Sequence, residues 1–229
     1  QDAYRRLHFS PKQTMMIAQQ LYEGVSLGSA GHLGLITYMR TDSLNLSEKF
    51  LAEAADFIKS QFGAQFGLSG ARRFKTKSKG AQEAHEAIRP TEASRQPESI
   101  KASVTAQQYK LYDLIWRRAL ASQMAPAVMD ATTVDVGNDK NDFLFRATGQ
   151  VIAFAGFLKV YFSSGKEVLL PDVRSDESLA LMKLEPLQHF TQPPARYNDA
   201  TLVKALEEKG IGRPSTYAPT IATIIDRGY

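Results

Sequence analysis

Apolar residues recur along this chain at three different spacings, and the spacings divide it. Ser10-Pro11 sets an N-cap and a first helical position, and Met15, Ala18, Leu21 and Tyr22 follow on one face up to Gly24. Leu46-Ser47 opens a second amphipathic run through Leu51, Ala54, Ala55, Ile58 and Phe62. A capping-box pattern at Thr105-Ala106-Gln107-Gln108 opens a third, with Tyr109, Tyr112, Ile115, Trp116, Ala119 and Leu120 inward. Beyond Ala125-Pro126 the period shortens. Thr132–Val136, Phe143–Thr148, Val151–Phe154 and Phe157–Phe162 read as strands, with Leu184–Phe190 as a further candidate. After Gln192-Pro193-Pro194 the helical period returns. One helix is capped by Asn198 or Asp199, runs through Leu202, Val203 and Leu206, and stops at Gly210. Another carries Ile221, Ile224 and Ile225. The pattern predicts an α+β, multidomain fold: a mostly helical part over residues 1–125, a β-rich part over 126–191 and a helical part over 192–229.

Between the first two helices lies a stretch of another kind. Leu33-Gly34-Leu35-Ile36-Thr37 is an apolar run that reads as a short buried strand, and Tyr38-Met39-Arg40-Thr41-Asp42-Ser43 breaks it into a polar turn. In extended backbone, residues two apart face the same way. Tyr38 and Arg40 are thereby placed on one face and Met39 on the other. A phenol can attack phosphorus, and a guanidinium fits phosphate oxygens. Spacing alone also suits a packed tyrosine beside a solvated arginine.

Ala81–Arg89 is rich in helix formers and is closed by Pro90, so a helix is expected there with His85 and Arg89 four apart on one face. The His-Glu pair lacks the second histidine of a zinc-binding H-E-x-x-H, and a plain surface histidine fits the spacing as well. Arg72–Lys79 carries five basic residues and no acid, either as a solvated loop or as a phosphate-contacting one, with Phe74 available to stack. Gly210–Tyr217 between two helices suggests a helix-turn-helix or a purely structural corner. Composition narrows the class. The 229 residues are 43% hydrophobic and 23% charged, without cysteine, which excludes disulfides and thiolate metal sites within the chain. The net charge of +4 is a mild lean toward polyanions. No apolar run is long enough to span a membrane, and no phosphate-binding G-x-x-x-x-G-K-[ST] occurs.

Three stretches resemble one family. Ile36-Thr37-Tyr38-Met39-Arg40-Thr41-Asp42-Ser43 is similar to the nucleophile motif of type IA DNA topoisomerases, and Met39 is closer to the bacterial topoisomerase I branch than to topoisomerase III. Ala84-His85-Glu86-Ala87-Ile88-Arg89-Pro90 resembles a second motif of that family, 47 positions on from tyrosine to histidine, and Gly210-Ile211-Gly212-Arg213-Pro214-Ser215-Thr216-Tyr217-Ala218 a third. The resemblance implies a helical nucleophile domain (1–125), a β-rich arch segment (126–191) and part of a helical base (192–229). It implies Tyr38 as nucleophile, Arg40 and His85 as its catalytic partners, and Thr41, Asp42, Arg89, Arg213, Ser215, Thr216 and Arg227 as DNA contacts. The implied reaction cleaves and rejoins one strand of DNA in a single-stranded segment through a 5′-phosphotyrosyl link, with no ATP.

The family's Mg²⁺ is held by an acidic domain with a D-x-D-x-E cluster, and this chain has no D-x-D. The expectation is therefore no metal ligands here and a site completed by other domains of the same polypeptide. Both ends read as cut, as in an internal fragment, acting in the bacterial cytoplasm at the nucleoid. Free tyrosine titrates near pH 10, so about 0.1% is ionised at neutral pH, a deficit of roughly 4 kcal/mol that neighbouring charges must offset. A non-catalytic DNA-binding module is the competing reading, and a structural or partner-binding domain a third.

Overall fold

The computed structural model describes residues 1–229 except 29–30, 75–84, 139, 141, 162–164 and 229. Among these the fold is α+β and divides into two compact units. The first comprises Gln1–Pro126, Gly156–Phe162 and Tyr197–Tyr229, and the second Ala127–Ala155 with Ser163–Arg196.

In the first unit the helices begin where cap chemistry places them. After α1 (Asp2–Leu7), α2 (Pro11–Glu23) starts with the Ser10 hydroxyl accepting from the Gln13 amide at 3.2 Å, and ends at Gly24 with φ +115°. Two short strands, β1 (Val25–Ser26) and β2 (His32–Leu33), pair antiparallel as the chain turns back. α3 (Glu48–Phe62) is capped by Ser47. A short helix, α4 (Pro97–Ile100), precedes α5 (Ala106–Ser122), whose Thr105–Gln108 capping box is formed from both sides. α6 (Asp199–Glu208) is capped by Asn198 and α7 (Tyr217–Asp226) follows it.

Burial follows the apolar stripes. Ile17, Ala18 and Leu21 of α2, Phe50, Leu51, Ala54 and Ile58 of α3, and Leu111, Tyr112, Trp116 and Leu120 of α5 are buried; except for Leu51 they form one cluster with Leu35, Ile36 and Met39. Phe50 takes the inward place expected of Ala55, which is exposed, because 50, 54 and 58 align on one ridge while 55 lies a position off it. Tyr112 and Trp116 satisfy their polar atoms on the carbonyls of Arg95 and Ala93 at 2.7 and 2.9 Å. Arg118, with no role expected from sequence, bonds the Asp2 carboxylate, as does the Tyr161 hydroxyl. Partial burial works to raise the Asp2 pKa. The Tyr161 hydrogen bond and the charges of Arg118 and Arg6 outweigh it and hold the carboxyl below the usual range.

Three sequence expectations are corrected. Residues 85–91 form no helix, because their backbone groups pair with a distant segment: the Ala87 amide donates to Asn45 O, and Ile36 bridges Pro90. Residues 81–84 and the lysines at 75, 77 and 79 lie outside the described residues. The expected strand at Phe157–Phe162 is a 3₁₀ turn over Gly156–Lys159. It forms because the Phe157 amide returns to Ala125 O at 2.9 Å, and an added Cβ at Gly156 would stand 2.3 Å from Pro126 O. Leu184–Phe190 forms no strand among the described residues; these side chains are exposed and its backbone finds no partner strand.

The second unit is a hairpin of β3 (Val128–Gly137) and β4 (Leu144–Phe154), antiparallel, with Thr133 opposite Thr148. The two strands expected at 143–148 and 151–154 are one, since Gly149 and Gln150 continue the ladder. Asn138 closes the turn by accepting from the amides of Asp142 and Phe143. Arg146 and Asp135 face each other across the strands in a forked pair at 2.7 and 2.8 Å.

Truncating a fully buried side chain of the first unit tests this core. Ile58→Ala is expected to cost about 2–5 kcal/mol in urea-induced unfolding, whereas Ala55→Ser on the exposed face of the same helix is expected to change the midpoint little.

Candidate active site

The stretch around Tyr38 is held as an extended segment between two others. The Leu35 amide donates to Leu21 O at 2.8 Å, at the end of α2. On the other side the Thr91 amide donates to Leu35 O at 3.0 Å and the Thr37 amide to Arg89 O at 2.9 Å. The Thr37 hydroxyl donates to Ala87 O at 2.8 Å and accepts from the Arg89 amide at 3.0 Å. Gly34 is required by this approach: a Cβ there would stand 2.7 Å from Tyr22 O. Met39 is 3% exposed in the core, Tyr38 half-buried and Arg40 exposed.

Beyond Arg40 the chain turns on its own hydroxyls. Thr41 Oγ1 accepts from the Ser43 amide and Ser43 Oγ from the Asn45 amide, at 3.0 and 3.2 Å. Tyr38 is sandwiched between aromatic neighbours. Its ring centroid lies 5.3 Å from that of His85 and 5.5 Å from that of Tyr22, the latter edge to face.

A cavity of about 210 Å³ is lined by Arg40, Thr41, Asp42, His85, Arg213, Pro214 and Ser215. All three resembling stretches therefore contribute to one hollow, although the third lies more than 120 positions from the second. Arg40 and the Arg213 guanidinium have no hydrogen-bond or ion-pair partner among the described residues, so two cations face the hollow against the single carboxylate of Asp42. Such a surface suits an anion with several oxygens. On the other side of Asp42 and Arg213 a larger cleft of about 630 Å³ opens toward Met15, Val203 and Tyr217. Burial raises the Tyr217 pKa most, and the charges of Glu207 and Asp42 add to it against Arg213.

Not every residue carried over from the resemblance sits at the cavity. Thr216 is spent on its own turn, its hydroxyl accepting from the Arg213 amide at 2.8 Å and donating to Arg213 O at 3.1 Å. Gly212 with φ +78° allows that turn, and Gly210 with φ +67° ends α6 in a Schellman arrangement in which the Ile211 amide donates to Leu206 O. Arg227 caps the far end of α7, about 15 Å along the helix from the turn. Arg89, expected at the DNA, is turned inward with its side chain 11% exposed. Of the basic loop, Arg72 bonds Ser122 O and Arg73 pairs with Glu48, while Phe74 is exposed. Tyr22 is the neighbour that sequence reading left in the core. It is 41% exposed at the end of α2, and its only local signal is the glycine at 34 that lets the strand pass its carbonyl.

The resemblance assigns the Mg²⁺ to an acidic domain rather than to these side chains, and the hollow offers one carboxylate, that of Asp42. Among the described residues no three of His, Cys, Asp or Glu gather into a set able to hold a metal ion.

Over its full length, residues 1–229, the chain matches the family model described as DNA topoisomerase. It is also similar to a solved structure, the full-length topoisomerase I of Thermotoga maritima, at 37% identity and a TM-score of 0.82. The match covers 100% of this chain and 36% of that one, so the chain spans about a third of that relative's length.

The electrostatics of the cleft can be measured at Tyr217. Asp42→Asn removes one of the negative charges that disfavour its phenolate, so the Tyr217 pKa is expected to fall in a ring-carbon NMR titration. An unchanged titration would place Asp42 away from α7.

Proposed function

The chain belongs to the DNA topoisomerase family, in its type IA bacterial branch, and on that premise we propose that Tyr38 is the nucleophile that cleaves one DNA strand. The phenol oxygen attacks a backbone phosphorus. A phosphate ester forms between the tyrosine oxygen and the 5′ end of the downstream piece, the bond to the 3′ oxygen breaks, and that oxygen leaves as a hydroxyl with one proton. Attack by the 3′-hydroxyl on the ester restores both the strand and the phenol. The ester conserves the energy of the phosphodiester, so strand passage through the gap and relaxation of negative supercoils proceed without ATP.

The observation that carries this reading is the convergence of three sequence-remote stretches on a hollow lined by His85, whose ring packs on that of Tyr38. Arg40 and Arg213 supply cations that can hold the phosphate and stabilise the charge growing on its equatorial oxygens. His85, packed on the Tyr38 ring, can accept the phenolic proton and return one to the leaving oxygen. Thr41 and Ser215 line the same hollow with hydroxyls suited to phosphate or sugar. The substrate of this reading is a single-stranded segment of DNA, handled together with further domains of the same polypeptide at the bacterial nucleoid. By itself the chain is expected not to relax supercoiled DNA, since the resemblance assigns the acidic metal set to another domain.

Two measurements test the proposal in the intact enzyme. Tyr38→Phe is expected to abolish the covalent DNA adduct trapped by denaturant, while binding to a single-stranded oligonucleotide persists. An undiminished adduct would show the nucleophile to be another residue. Arg213→Gln is expected to weaken binding and to flatten the dependence of log K on log salt by about 0.7, the share of one phosphate contact on a single strand. An unaltered slope would remove Arg213 from the DNA path.

A further inference from the structure

The resemblance assigns Arg89 to DNA, yet the fold has already used its side chain. Its Nε pairs with the Glu86 carboxylate at 2.6 Å, Nη1 donates to Pro90 O and Thr91 O at 2.9 and 3.3 Å, and Nη2 donates to the Ser47 hydroxyl at 3.1 Å. The guanidinium carbon lies 4.9 Å from the centre of the Phe50 ring, itself 1% exposed. A planar fork with this many fixed partners and an aromatic floor has little left to offer a phosphate.

These partners belong to two pieces of chain, and a third runs beside them. Ser47 is the N-cap of α3, Phe50 lies in its first turn, and Pro90 and Thr91 run alongside Leu35 and Ile36. The main chain of Arg89 meanwhile exchanges hydrogen bonds with Thr37, the residue before Tyr38. His85 lies four positions upstream on the same segment, whose Ala87 amide is tied to Asn45. The side chain thus anchors a short segment to α3, and the main chain of that segment sets both the backbone entering Tyr38 and the path to His85.

We propose that Arg89 is a positioning residue that clamps the Tyr38 segment and the His85 segment together, rather than a contact to DNA. This rests on the reading of Tyr38 as nucleophile. The clamp matters because in-line attack tolerates little error. A misplacement of about 1 Å in a reacting group can cost a hundredfold in rate. Lysine cannot replace the fork, since an ammonium is a point charge with no planar set of donors.

The test uses the intact enzyme well below its unfolding midpoint, with single-turnover cleavage of a saturating single-stranded oligonucleotide as readout and oligonucleotide affinity measured across a salt series. Arg89→Lys is expected to lower the cleavage rate constant ten- to a hundredfold while affinity and salt slope stay as in the unaltered enzyme. Glu86→Ala, which leaves Arg89 in place but frees its Nε, is expected to shift cleavage in the same direction by less. It carries the test if the arginine variant does not fold. Arg89→Ala, which removes every one of these contacts, should lower the rate at least as far as Arg89→Lys.

A salt slope shallower by about 0.7 with an unaltered cleavage rate at saturation would make Arg89 a phosphate contact and overturn the proposal. Unaltered cleavage in folded Arg89→Lys or Glu86→Ala would overturn it too, with Tyr38→Phe lacking the adduct as the control that the nucleophile reading stands. Retention of the adduct in Tyr38→Phe would overturn both readings.

Discussion

The exchange of hydrogen bonds between Thr37 and Arg89 is the constraint on which the site depends. Neither residue lies in a regular element. Each would leave main-chain groups unpaired inside a helical unit if the other were absent, and unpaired buried amides and carbonyls are costly. Their pairing makes a two-residue-wide ribbon where helices alone could not position a tyrosine and a histidine face to ring. Leu35 and Ile36 bury the ribbon's apolar side in the same cluster that α2, α3 and α5 build, and Pro90 is fully buried as well, so the stability of the core and the geometry of the site are one property.

From this ribbon the chemistry follows by direction rather than by composition. The chain bends at Met39 and Arg40, with Met39 in the core and Arg40 at the surface. The hydroxyl turns at Thr41 and Ser43 then bend the chain before α3 begins. The turn at Gly212–Thr216 arrives from the far end of the sequence and closes the hollow with Arg213, whose own main chain is fixed by the Thr216 hydroxyl. Cations on two different segments thereby face one small space, which single-segment spacing could not have arranged.

The second unit shows the opposite economy. Its hairpin is held by its ladder, one forked ion pair and an Asn138 turn, and most of its side chains are exposed. The alternation that marks its strands in the sequence is real, but alternation sets only the side to which residues point, not what covers them. Phe143, Phe145 and the apolar residues of 179–190 are exposed for that reason, and 184–190 stays irregular without a partner strand.

Helices with local signals could be read from the sequence: Ser10-Pro11, Ser47, Thr105 with Gln108 and Asn198 each carry their cap within four residues, and the apolar stripes name most of the core. The α+β class and the family followed from the same local words. What the sequence left open were features whose partners are remote. Residues 85–89 have helix-forming composition, yet the hydrogen bond that the Ala87 amide donates to Asn45 O and those exchanged with Thr37 outweigh a propensity worth a few tenths of a kcal/mol per residue. The 3₁₀ turn at Gly156 is decided by Ala125. Whether Arg89 faces solvent or Phe50, and whether Thr216 has a free hydroxyl, depends on contacts that no spacing encodes. By itself, then, the sequence determined where helices start, which faces are apolar and which words carry chemistry, because those depend on neighbours along the chain. Only the tertiary structure decided which of those words meet around Tyr38 and which are spent holding it, because hydrogen bonds between distant segments are settled when the chain packs.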